Sequence, residues 1–82
     1  MLISQQIRAA RALIGWSQTE LATAANVGVA TIRRIELQDG LIHANADSIR
    51  KIETTLKSSG VVFIEQDGSN GPGVRLKRQF DV

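Results

Sequence analysis

The side chains with the clearest chemical purpose in this sequence are its arginines, and they are unevenly spread. Residues 1–35 carry Arg8, Arg11, Arg33 and Arg34 against Glu20 alone. Residues 36–67 hold six acids against Arg50, Lys51 and Lys57, and the basic Arg75, Lys77 and Arg78 follow. The net charge of +2 hides this pattern. Such segregation suits a protein with one face for phosphates and another for something else. Bond-making chemistry is poorly provided for. His43 is the one histidine and there is no cysteine, so neither a histidine-based nor a thiolate metal site can be assembled. No G-x-x-x-x-G-K run is present to cradle a nucleotide phosphate, and Glu20 has a simpler explanation than acid–base work. No enzyme, cofactor or metal is expected.

The elements that must position the arginines are signposted. Ile3, Ile7, Ala10 and Ile14 recur at helical spacing with Arg8 and Arg11 between them, which predicts a first helix ended by Gly15. Ser17 and Glu20 form an S-x-x-E capping box, and Trp16 with Leu21 has the spacing of a hydrophobic staple. A second helix should therefore run from Gln18 to Ala25. Only Asn26, Val27 and Gly28 separate it from the next helix start, where Gly28 is the N-cap and Val27 with Ile32 repeats the staple spacing. Asparagine tolerates a left-handed backbone, which lets two helices turn sharply, and Ala22 is small where they would press together. The chain reads helix, tight turn, helix.

The third helix should continue to about Leu37, broken by Gln38-Asp39-Gly40. Asn45 is an N-cap for a fourth helix with Ile49, Ile52 and Leu56 on one side, ended by Ser58-Ser59-Gly60. The remainder changes character. Val61-Val62-Phe63-Ile64 is a short β-type run, QDGSNGPG is a loop containing the one proline, Pro72, and Val74 to Arg78 alternates with period two. This predicts a β-hairpin with a long, mobile tip.

The composition, 43% hydrophobic and 22% charged, is that of a soluble globule with one core. A chain of 82 residues buries only about 60–65% of its unfolded surface, so its fold should gain from a partner subunit. The opening MLISQQIRAARALIG lacks the apolar run of a signal peptide, and no stretch could span a bilayer, so a cytoplasmic location is expected.

The stretch from Gln6 to about Leu56 resembles the Cro/repressor, or XRE, type of helix-turn-helix domain. SQTELATAANVGVATIRRIE carries the resemblance, being similar to that family's S-Q-x-E-L-A … g-V-s-x-x-x-I-x-x-x-E. Two departures stand out: Asn26 replaces the usual turn glycine, and the family's short E-x-G becomes Glu36-Leu37-Gln38-Asp39-Gly40. The resemblance implies a mainly α fold, a four- to five-helix repressor-like helix-turn-helix domain over residues 1–59; the C-terminal β-hairpin over 60–82, read from its own residue pattern, is the expected dimerisation element.

It further implies that the third helix lies in the major groove of double-stranded DNA, with Val29, Ala30, Arg33 and Arg34 at the base edges. The residue types agree: Val or Ala meets a thymine methyl, and arginine bonds bidentately to guanine N7 and O6. Gln18, at the start of the second helix, and Thr31 are the implied phosphate contacts. Arg11 and Glu36 are the implied structural ion pair, joining the first helix to the end of the third.

Val61, Val62, Phe63 and Ile64 are apolar on both faces, whereas a strand covering only its own domain should alternate. They are the expected homodimer interface. The expected function is that of a sequence-specific transcriptional regulator, a homodimeric repressor on an inverted-repeat operator. The alternative is an antitoxin or anti-activator whose hairpin grips a protein partner.

Overall fold

The computed structural model describes residues 2–78. Its elements run α1 (Ser4–Ile14), α2 (Gln18–Ala25), α3 (Val29–Glu36), α4 (Ala46–Ser58), β1 (Val61–Ile64) and β2 (Gly73–Leu76). The fold is mainly helical with a C-terminal antiparallel hairpin. None of these helices is long and apolar enough to cross a membrane.

Local chemistry accounts for the boundaries. Gly15 ends α1 at φ 70°, a left-handed backbone that costs a glycine nothing. Ser17 and Glu20 close the box at the start of α2, the Ser17 hydroxyl accepting from the Glu20 amide and the Glu20 carboxylate from the Ser17 amide. Asn26 terminates α2 at φ 57° and ψ 48°, the left-handed conformation its short amide tolerates. The Asn45 side chain accepts from the amides of Asp47 and Ser48 and starts α4. Ile3 is extended rather than helical, because it forms a β-bridge with Leu41 instead.

One core unites the elements. Ile7 and Ala10 of α1, Leu21, Ala22 and Ala25 of α2, Ile32 and Ile35 of α3, Ile52 and Leu56 of α4, and Val61 of β1 are all buried in it. Trp16 and Val27, the outer members of the two staples, are half-buried against the same cluster. Ala22 is 4% exposed, a small residue buried in the core on α2, the helix that packs against α3.

In the hairpin Val61 faces Leu76, Val62 faces Arg75, Phe63 faces Val74 and Ile64 faces Gly73. Directly opposed residues share a face. Val61, Phe63, Val74 and Leu76 therefore point to the core, and all four pack against it. Val62 and Ile64 lie on the other face. The second strand is shifted from the alternation at Val74 to Arg78: Gly73 joins the ladder opposite Ile64, and pairing beyond Leu76 narrows to one bond from the Lys77 amide to the Gly60 carbonyl. The tip, expected to be mobile, has internal organisation. The Asp67 carboxylate accepts from the amides of Ser69 and Asn70, which holds it below the usual carboxylate range. At the hairpin mouth the buried Gln6 carboxamide donates to the carbonyls of Ile64 (3.3 Å) and Gly73 (3.0 Å).

Candidate nucleic-acid interface

The site is built from the end of α3 outward. A helix leaves its last carbonyls without partners, and here they are met by side chains. Ser4 Oγ donates to the Ile35 carbonyl. Arg8 Nη1 donates to the carbonyls of Glu36 (2.6 Å) and Gln38 (2.8 Å), and its Nη2 reaches Asp39 Oδ1 at 3.0 Å. Gln38 Nε2 turns back to the Arg34 carbonyl at 3.1 Å. The same Gln38 holds the following loop through the His43 backbone, accepting from its amide and donating to its carbonyl. Helix α3 is thus clamped to α1 at its C-terminal end, and the long loop after it is pinned.

Arg11 completes the clamp. Its Nε and Nη2 each lie 2.8 Å from a different Glu36 oxygen, a bidentate pair, while Nη1 donates to the Trp16 carbonyl at 2.9 Å. The Glu36 side chain is only 4% exposed, so its charge is held by geometry rather than by water. The hydrogen bond to Glu36 raises the Arg11 pKa above its ordinary value. Gln18 Nε2 joins the network at 3.2 Å from Glu36 Oε1. The Gln18 carboxamide is therefore turned inward, and the outward-facing donors at the start of α2 are backbone amides that no carbonyl of the helix can accept.

Two arginines of the basic N-terminal half, Arg8 and Arg11, are consequently not part of a phosphate face. Their contacts run to the carbonyls of Glu36, Gln38 and Trp16 and to the carboxylates of Glu36 and Asp39. Arg33 and Arg34 are the exposed pair, and Arg33 has no hydrogen-bond or ion-pair partner among the described residues. Arg34 Nη2 lies 3.2 Å from Thr31 Oγ1, one turn back along the same helix. Ala30 is exposed beside them, whereas Val29 and Thr31 are half-buried. Ala30, Arg33 and Arg34 stand at helical spacing on one outward strip, opposite the buried Ile32 and Ile35.

Of the four hairpin residues expected at a dimer interface, Val61 is 1% exposed in the core of its own chain and presents no surface there. Its place opposite Leu76 on the inner face is the reason. Phe63 is half-buried on that same face, while Val62 is half-buried and Ile64 exposed on the other.

Ser4, Arg8 and Gln38 have no sequence signature, because each acts on backbone carbonyls that only the folded chain brings near. Leu37 stands three and seven residues on from Arg34 and Ala30, on the same strip.

No curated protein matches the sequence. The model of a helix-turn-helix family matches residues 7–63, well over half of the chain, from within α1 to within β1. The chain belongs to the helix-turn-helix family of DNA-binding regulators, of the Cro/repressor type.

Proposed function

We propose that this regulator is a homodimeric repressor that reads an inverted-repeat operator with α3. The observation that carries the reading is the division of the arginines. Arg8 and Arg11 fasten α3 in place, and Arg33 and Arg34 are presented outward beside Ala30 on an exposed strip whose one side-chain bond among the described residues is Arg34 to Thr31.

Arg33 and Arg34 bond guanine N7 and O6, and Ala30 with Val29 meets thymine methyls. Thr31 and the start of α2 at Gln18 hold phosphates, which position the helix without carrying sequence information. In the free protein Thr31 fixes the Arg34 guanidinium. The same hydroxyl turns to a phosphate once Arg34 reaches a base. Two copies pair through the outer hairpin face, with Val62 and Ile64 at the contact and Phe63 supporting it. The site of action is the cytoplasm, where the operator is.

Footprinting the protein on DNA flanking its own gene tests the reading. Protection of two half-sites related by a two-fold axis, with centres about 10 base pairs apart or a multiple, is the expected result. Affinity should fall as salt rises through counterion release. An affinity independent of salt would rule out the phosphate contacts and with them the repressor.

A further inference from the structure

Leu37 is 85% exposed, the most exposed of the large apolar side chains among the described residues. It caps α3 in a right-handed conformation, φ −77° and ψ −16°, so it continues the helical path. Relative to Ala30, Arg33 and Arg34 it stands at i+7, i+4 and i+3, on the same strip as all three. With Arg33, Gln18, Arg8 and Glu36 it lines a cleft of about 340 Å³ between the start of α2 and the end of α3.

Resting on the DNA-reading function proposed above, we infer that Leu37 is a specificity residue that meets a thymine methyl at the end of the half-site read by the C-terminal turn of α3. The occupant follows from the neighbours. A protein groove covering Leu37 would have to strip water from the unpaired guanidinium of Arg33, four residues back on the same strip. A DNA groove surrounds the same guanidinium with phosphates and acceptors. Within that groove the thymine methyl is the one apolar group on a base edge. The clamp on the α3 carbonyls keeps this last turn in place, so the leucine is presented by a fixed backbone.

The test uses the full chain and its footprinted operator, with each thymine replaced in turn by deoxyuridine, which removes only the methyl. Binding is measured for the wild type, Leu37→Ala and Leu37→Met. At one symmetric pair of thymines, methyl removal should weaken the wild type about fourfold per half-site, the worth of one buried methyl-sized group. Leu37→Ala should be indifferent to the same replacement, and Leu37→Met should retain the sensitivity. Thermal midpoints should be equal across the variants, because the side chain is exposed. If methyl removal weakens wild type and Leu37→Ala alike at every thymine, the inference is wrong while DNA reading stands. If the wild type binds no DNA, both fall together.

Discussion

Two pairs of arginines, one on α1 and one on α3, show how the same residue type does opposite work. Arg8 and Arg11 are sunk into partners: backbone carbonyls, Asp39 and the bidentate Glu36. Arg33 and Arg34 stand in water, with a single intrahelical contact from Arg34 to Thr31 between them. The difference lies in what the opposing surface offers. Helix α1 faces the C-terminal end of α3, where carbonyls and the helix dipole are negative and favour cations. The outward strip of α3, Ala30, Arg33 and Arg34, is left exposed among the described residues. A basic residue count for this region therefore includes two arginines, Arg8 and Arg11, that are already engaged within the fold.

The contrast can be broken most severely at Glu36. Glu36→Ala strands Arg11 next to an emptied, nearly dry site, and should lower unfolding free energy by about 3–5 kcal/mol in chemical denaturation. Finding a loss under ~1 kcal/mol would mean that the pair is solvated and replaceable.

Arg34→Ala sharpens the other side. It should leave the unfolding midpoint unchanged, yet cost about 1–3 kcal/mol of affinity for the native operator and relax selectivity at one symmetric pair of positions. Equal losses on specific and scrambled DNA would reduce Arg34 to a phosphate contact. Arg8→Ala should do the reverse, lowering stability by about 1–2 kcal/mol through its carbonyl bonds and weakening all DNA sequences alike as the end of α3 loosens.

For the hairpin, Ile64→Asp should turn a sedimenting dimer into a folded monomer, because Ile64 is on the outer face and supports no core contact. A dimer that survives this change would place the subunit contact elsewhere. The smallest effect is at the α2 cap. Ser17→Ala should cost about 1 kcal/mol. The bond from the Ser17 amide holds the Glu20 carboxylate below its usual range. Its contribution is therefore complete above the ordinary carboxylate pKa and is lost as pH falls through the depressed value. Ser17→Ala keeps that amide, so its deficit should persist in acid, whereas Glu20→Gln and wild type should converge there.

How much of this was legible in the sequence follows from the range of each interaction. The cap of α2 and the left-handed Asn26 are local events, and their residues announced them. The helix limits followed to within a residue. The β1 strand was legible from its apolar run, but its inner face was not, since alternation is invisible when all four residues are apolar. Only the register against β2 assigned Val61 to the core. The clamp on α3 was hidden for a different reason. Arg8, Ser4 and Gln38 recognise carbonyls, which every residue possesses, so no spacing of side-chain types marks the partner. The Gln18 side chain was expected to point outward, because a buried carboxylate that competes for it can be seen only when α2 and α3 are docked.

Gln6 links the two ends of the chain in a way that bears on how the protein opens. Its Oε1 accepts from the Ile3 amide, and its Nε2 bridges the carbonyls of Ile64 and Gly73, the second of these 67 residues away. The first turn of α1 and the hairpin mouth therefore share one side chain, and neither can detach without leaving a buried amide unsatisfied. In native-state hydrogen exchange they should behave as a single cooperative unit. The Ile3 and Gly73 amides should exchange with the same opening free energy in the wild type. In Gln6→Leu they should separate, with the hairpin mouth exchanging first.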